Sequence, residues 1–235
     1  IASGKVLELD MKEAAKQVKI INTTVAKSIG INKAARCTTV KPAGTTSLVL
    51  GTSSGIHAWH NKYYIRRIRV GKNEAIYSYL AIHHPELLED DFFRPHDTAI
   101  ISIPQASPKG SIVRTESAFD LLERVKKVAK QWVKEGHRVG SNTHNVSATI
   151  SLKDNDWEKA GEWMWKNRDH YNGLSVLPYD GGTYTQAPFE DITKRKYNEM
   201  TKTLQEVNLS KIVEVEDNTD LSGELACAGG SCEVT

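Results

Sequence analysis

Hydrophobic spacing along this chain switches repeatedly between the three-to-four-residue recurrence of a helix and the two-residue alternation of a strand, which constrains it to an α/β body. Asp10-Met11-Lys12-Glu13 reads as a capping box, and Ala14, Val18, Ile21, Val25 and Ile29 recur at helical spacing until Gly30 closes the helix. Cys37-Thr38-Thr39-Val40 is β-branched and strand-like; Lys41-Pro42-Ala43-Gly44 breaks it. Residues 45–50 have helical or extended potential, and 51–55 form a small-residue loop. Residues 63–70 alternate as a strand, with Arg66, Arg67 and Arg69 around Ile65, Ile68 and Val70. A helix is predicted over 73–82, stopped by Pro85, then a strand over 97–103 and a loop over 104–110. The clearest amphipathic helix covers 117–135, with Leu121, Leu122, Val125, Val128, Ala129, Trp132 and Val133 on its apolar side. Residues 145–152 and 174–177 read as strands, Asp154 caps a helix bearing Trp157, Met164 and Trp165 that Gly173 ends, and 192–207 forms a last helix. Periodicity alone does not separate an open sheet from a closed barrel.

Composition excludes several classes. A hydrophobic share of 39% and a charged share of 26% describe an ordinary globular chain. No apolar run is long enough for a membrane span, so no membrane is expected as a partner. A net charge of +2 over 235 residues is too small to argue for a nucleic-acid polymer. The first residues, Ile1-Ala2-Ser3-Gly4-Lys5, carry neither a signal-peptide pattern nor an initiator Met, which suggests a fragment, a processed product or one half of a split protein. From Glu206 onward seven acids stand against Lys211 alone, so this end carries −6 and the remainder +8. Such an acidic end, poor in core-forming residues, is expected to be a flexible tail. A mildly basic body suits an anionic small substrate, although a solvated surface reads the same way. Three cysteines exclude a disulfide-stapled secreted fold, and a cytoplasmic, reducing home is the default.

Two segments carry chemistry. In Val40-Lys41-Pro42-Ala43-Gly44-Thr45-Thr46-Ser47 a strand delivers the backbone to a Pro-x-Gly bend. Gly44 lets backbone N–H groups approach an anion, and Thr45, Thr46 and Ser47 add hydroxyls and amides where a helix is expected to start. The second glycine and the Gly-Lys-Ser/Thr ending of a Walker loop are missing, and an ordinary turn has the same local signature. Near the C-terminus, Cys227 and Cys232 lie five residues apart, joined by small residues. So short and flexible a loop closes at little entropic cost, which suits a disulfide that forms and breaks. Two idle thiols or half of a zinc site are the alternatives, and the spacing is longer than a zinc knuckle.

Together these segments resemble the catalytic (large) subunit of ribonucleotide reductases, and within them the adenosylcobalamin-dependent class II enzymes. Residues Thr38-Thr39-Val40-Lys41-Pro42-Ala43-Gly44-Thr45-Thr46-Ser47 are similar to the family's Val-Lys-Pro-Ser-Gly-Thr-x-Ser loop, which binds substrate phosphates. Gly51 to His57, Gly136-His137-Arg138, Asn145-Val146-Ser147-Ala148-Thr149 and Tyr184-Thr185-Gln186-Ala187-Pro188-Phe189-Glu190 also resemble it, in the same order. Class II is favoured because Gly44-Thr45 stands where class I enzymes tend to have an acid followed by Thr, and because Tyr179, Tyr184 and Tyr197 include no adjacent relay pair.

The resemblance implies an α/β fold in which residues 1–205 are the C-terminal portion of a ten-stranded barrel and 206–235 the redox tail with Cys-x4-Cys. It implies reduction of ribonucleoside di- or triphosphates to 2′-deoxyribonucleotides, with Ala43, Gly44, Thr45, Thr46 and Ser47 at the substrate phosphates and Cys227 and Cys232 as the dithiol shuttle. Adenosylcobalamin is the implied cofactor, bound with the rest of the subunit. The implied partners are the ribonucleotide, the N-terminal portion of the reductase and a thioredoxin or glutaredoxin-type reductant, and a homodimer is compatible. The family's radical cysteine has no counterpart among Cys37, Cys227 and Cys232, so the chain is expected to be inactive alone; Cys37 reads as a buried small apolar residue. A non-catalytic thiol-redox or nucleotide-binding module, acting only with a separate N-terminal partner chain, is the other reading. His57 and His60 flank Trp59 near the bend and read more readily as structural; Arg66, Arg67 and Arg69 read as a solvated face; the tryptophans of the 154–166 region read as helix packing.

Overall fold

Asp10 starts the first helix by accepting the Glu13 N–H at 3.0 Å on its side chain. The computed structural model describes residues 9–179, 181 and 184–216. In chain order it contains helix α1 (Met11–Ser28), short helix α2 (Gly44–Val49), strand β1 (Tyr63–Gly71), helix α3 (Ala75–His83), strands β2 (Leu88–Asp90) and β3 (Thr98–Ala106), and helix α4 (Ala118–Val128). Strand β4 (Thr149–Leu152), helix α5 (Trp157–Lys166), strands β5 (Ser175–Pro178) and β6 (Phe189–Asp191) and helix α6 (Lys194–Thr203) follow. The chain forms two compact units.

The first unit takes the described residues up to Trp59 together with Pro108–Tyr179. A full capping box between Ser117 and Asp120 opens α4, which continues into one π-helical turn, Ala129–Val133. Its apolar side, Leu121, Leu122, Val125, Val128, Ala129 and Val133, is buried with Val40, Ile56, Val146, Ala148, Ile150 and Leu152. Strand β4 pairs with β5 in parallel, Thr149 opposite Ser175 through Leu152 opposite Pro178. Upstream, Val40 forms a parallel bridge with Val146, where the Ser147 N–H donates to the Val40 carbonyl at 2.9 Å. The strand expected at Cys37–Val40 is thus reduced to isolated bridges, at Arg36 to His137 and at Val40 to Val146. Cys37 is half-buried rather than buried. In α1 the spacing is helical as expected, yet Ile21, Val25 and Ile29 are exposed, and the buried positions are Met11, Ala15 and Ala26.

The second unit takes His60–Ser107 and the described residues after Tyr179. Its four-stranded sheet runs β2-β3-β1-β6 with every pair antiparallel. Val70, Leu80, Leu87, Ala99 and Ile101 form its core. Strand β3 runs three residues past its expected end, through Pro104, which lies opposite Ile65. Proline is tolerated there because β2 reaches only to the level of Ile101, so one side of β3 is already unpaired. The expected solvated arginine face is instead an ion-pair ladder. Arg66 is buried, Arg67 bonds Glu89 at 2.8 Å and Glu190 at 2.5 Å, and Arg69 bonds the buried Asp91 at 3.0 Å.

The chain is therefore mixed α/β. Among the described residues there are six strands, in the four-stranded sheet and the parallel pair, and these by themselves do not make a ten-stranded barrel.

One close approach fixes how the segment before the bend lies on the end of the long helix. A Cβ added at Gly136 would stand 1.9 Å from Thr38 Oγ1, whose hydroxyl donates to the Trp132 carbonyl at 2.7 Å, while the Gly136 carbonyl accepts the Cys37 N–H at 3.0 Å. Gly136→Ala is expected to destabilise the fold by about 1–3 kcal/mol, as overpacking a tight contact does. The shift of a denaturation midpoint measures it, and an unchanged midpoint would mean that the contact yields freely.

Candidate functional site

Residues 40–57 make one connected piece of backbone in which the proposed cradle is held from behind. Val40 enters along Val146, and Lys41 Nζ lies 3.3 Å from Ser147 Oγ on the neighbouring extended segment. Pro42 precedes the turn, and Ala43 donates its N–H to Ser54 Oγ at 3.1 Å. Helix α2 then starts at Gly44. Ser47 is buried, and its hydroxyl donates back to the Gly44 carbonyl at 2.8 Å while its N–H donates to the Ala43 carbonyl at 3.2 Å. Its own carbonyl accepts the Thr52 N–H at 2.9 Å, which folds the return loop against the helix.

The five residues expected at the phosphates therefore differ in their surroundings. The Ala43 amide and the Ser47 hydroxyl and amide serve the bend itself. Among the described residues no acceptor meets the N–H of Gly44 or Thr46, and Thr46 is exposed. Amides at the start of a helix turn lack intrahelical partners, and a bare pair of them suits an anion. Thr45 lies between them on the first turn of α2. Cys227 and Cys232 lie outside the described residues.

The return loop, which the sequence reading noted without assigning it a role, supports the bend. Gly55 has φ +58°, and a Cβ there would stand 2.7 Å from the Lys41 carbonyl oxygen. Ser54 fixes the Ala43 amide, and His57, 8% exposed, lies two residues beyond Gly55. His57 Nε2 accepts the Thr149 N–H at 3.0 Å, and Nδ1 lies 3.0 Å from the Ser54 carbonyl oxygen. The sequence placed His57 near the bend and Gly51 to His57 in the family's order, but gave no signal for these partners.

The remaining candidates make contacts within their own units. In the second unit His60 pairs with Asp191 at 3.0 Å and stacks on Phe189 with centroids 5.0 Å apart. Gln186, at φ +56°, accepts the Phe92 N–H at 2.7 Å and donates to the Asp90 carbonyl at 2.9 Å. Trp163 packs on the first core and donates to Glu123 at 2.6 Å, whereas Trp165 is largely exposed beneath Arg168. Among the described residues no group of three or more His, Cys, Asp or Glu could hold a metal ion, and no helix is long and apolar enough to cross a membrane.

The fold places this chain beside a known class. A crystal structure of a B12-dependent (class II) ribonucleotide reductase superposes with a TM-score of 0.64, at 24% identity over 81% of this chain and 27% of that one. In sequence the chain is similar to the adenosylcobalamin-dependent ribonucleoside-triphosphate reductase of Euglena gracilis, 28% identical over 219 residues. It is 27% identical over 217 residues to that of Lactobacillus leichmannii, and 27% over 223 residues to a probable one of Dictyostelium discoideum. These matches cover 88–89% of this chain, which spans about a quarter of the relatives' own length (26–28%), a share that fits a C-terminal part of such a catalytic subunit. No protein-family model matches.

Gly55→Ala tests the support of the bend. The left-handed backbone costs a side chain about 1–2 kcal/mol, and the Lys41 carbonyl must also give way. Hydrogen exchange at the Ala43 amide is expected to speed up relative to the amides of α4; unchanged protection would separate Ser54 and Gly55 from the support of the bend.

Proposed function

We propose that this chain supplies the substrate-phosphate bend and the C-terminal dithiol of an adenosylcobalamin-dependent ribonucleotide reductase, working with the rest of the catalytic subunit. The observation that carries this reading is the bend itself, in which Ala43 and Ser47 are used for internal support while the Gly44 and Thr46 amides meet no acceptor among the described residues. The relatives' names favour a ribonucleoside triphosphate as the substrate.

On this reading Gly44, Thr45 and Thr46 present N–H groups to the terminal phosphates, and the exposed Thr46 adds its hydroxyl. Ala43 and Ser47 act from behind, one bound to Ser54 and the other folded back on Gly44. Fixing the charged end of the nucleotide orients its ribose, which is where binding energy contributes to reaction rate. The net chemistry removes the 2′-hydroxyl as water while two thiols become a disulfide. Cys227 and Cys232 would then reduce that disulfide by thiol exchange and be recharged by a thioredoxin or glutaredoxin-type protein. Residues 206–235 form the tail that carries them, residues 1–205 belong to a larger barrel completed by other segments, and the site works in the cytoplasm; a homodimer is compatible. The single parallel bridge of Val40 to Val146 and the parallel pairing of β4 with β5 support the barrel reading.

Adenosylcobalamin supplies the radical in such enzymes, and the concavity beside α4 does not fit it. The open concavity beside α4, about 540 Å³, is lined by Ile112, Glu116, Asp120, Glu123, Arg124 and Lys127. It is open, and five of its six lining residues are Asp, Glu, Arg or Lys, so it offers no enclosed cleft for a corrin. On this reading the cofactor is bound with the rest of the subunit, and no step is assigned to it on this chain.

Two measurements test this reading with the chain joined to the remainder of the catalytic subunit. Thr46→Ala is expected to raise the KM for the ribonucleotide by about tenfold or more, with one lost hydrogen bond to a charged group costing about 1.5–3 kcal/mol; an unchanged KM would remove Thr46 from the cradle. Cys227→Ser is expected to abolish turnover supported by thioredoxin while a small dithiol still sustains it. Equal loss with both reductants would contradict the shuttle role.

A further inference from the structure

We propose that His57 is a positioning residue, holding the Pro42–Ser47 bend in its anion-binding shape by clamping the Ser54 turn to strand β4 in one ring tautomer. The inference rests on the reading of the bend as a phosphate cradle and adds the device that sets its geometry. The Thr149 N–H can only donate, so Nε2 of His57, 3.0 Å away, must carry the acceptor lone pair. The proton of the neutral ring is then on Nδ1, which donates to the Ser54 carbonyl at 3.0 Å. The Ser54 hydroxyl in turn accepts the Ala43 N–H at 3.1 Å. A continuous line of hydrogen bonds thus runs from β4 through the ring to the first amide of the bend. The left-handed Gly55 and its close approach to Lys41 leave that turn little room to move independently.

Only the neutral ring fits. An imidazolium would turn Nε2 into a donor facing another donor, breaking the link to Thr149. Burial is the main cause that holds the His57 pKa below its ordinary 6.5, against the Ser54 carbonyl, which raises it. Arg114 and Arg124 lower it further, and Glu116 opposes them. Arg124 is itself fixed by the Ile56 carbonyl at 3.2 Å and by Glu116 at 3.0 Å, so a cation is held close to the ring. The lowered value means that the clamp's contribution to stability is complete above pH 6.5 and is lost as pH falls from there through the folded-state value.

The test uses the full chain, inorganic tripolyphosphate as probe, and calorimetry alongside ¹⁵N NMR of the imidazole. The expected spectrum is a neutral ring protonated on Nδ1, with a titration midpoint below 6.5. Tripolyphosphate affinity relative to His57→Gln should fall at that same midpoint, by about tenfold per pH unit beyond it, because only the wild-type clamp titrates. The probe's own titration is common to both proteins and cancels. His57→Phe should bind the probe at least about tenfold more weakly than the wild type, and His57→Gln, whose amide oxygen can accept from Thr149, should recover most of the loss. If the Phe variant does not fold, the wild-type and Gln comparison carries the test. A ring protonated on Nε2, or an affinity ratio that does not follow the ring's titration, would overturn the proposal. A wild type that binds the probe and loses affinity with Thr46→Ala but not with His57→Phe would sink the clamp and leave the cradle standing. No binding by the wild type would overturn the cradle and the clamp with it.

Discussion

The apolar side of helix α4 is the surface on which the first unit is assembled. Leu122, Val125 and Val128 are fully buried there, and Val40, Ile56, Val146 and Ile150 pack in the same cluster. Each such side chain contributes about 1.5–3 kcal/mol when it leaves water. Val40 and Ile56 bracket the bend in sequence, one at its entrance and one on its return. The core thus anchors both ends of residues 40–57, and the polar bonds among Ala43, Ser47, Ser54 and His57 need only shape the interval between. A dense core makes that interval precise, because closely packed side chains have few alternative arrangements.

Helices α1 and α4 and strands β1, β3 and β5 were legible because their signals are local: a capping acid or serine, a period, a proline. Strands β2 and β6 were not, since three residues show no alternation and these strands exist only through their partners β3 and β1. That omission explains the misreading of the arginines. Arg67 and Arg69 share a face of β1 at two-residue spacing, and Glu89 and Asp91 repeat the same spacing in the chain of β2 and just beyond it. Ser102, on the strand between, also donates to Glu89, at 2.6 Å. Basic residues read without that short acidic segment look like a free positive stripe, whereas their charge is matched within the sheet.

At the site, the position of the bend could be read from Pro42 and Gly44, because a turn is dictated by the residues within it. Its support could not. Ser54 meets Ala43 across eleven residues and His57 meets Thr149 across ninety-two, and a sequence gives no signal of which distant amide a buried histidine will reach. Helical spacing in α1 likewise told which residues share a face but not what covers it. Ala15 and Ala26 turned out to be among the buried positions, leaving Ile20, Ile21, Val25 and Ile29 exposed.

The chemistry of residues 40–57 limits what they can contribute. Amides, hydroxyls and a neutral imidazole can hold and orient an anion, but none of them exchanges electrons. The described cysteine, Cys37, lies just upstream, with its thiol 3.8 Å from the Ala34 carbonyl and its own amide bound to Gly136. Those contacts tie it to the backbone that supports the approach to the bend, a structural use of a small side chain. On the proposed reading the division is then enforced by chemistry. The bend fixes one end of the nucleotide through donors that need no reorganisation, and the thiols that change oxidation state must come from elsewhere, because a cradle rigid enough to orient a ribose is a poor place for a disulfide that has to open and close.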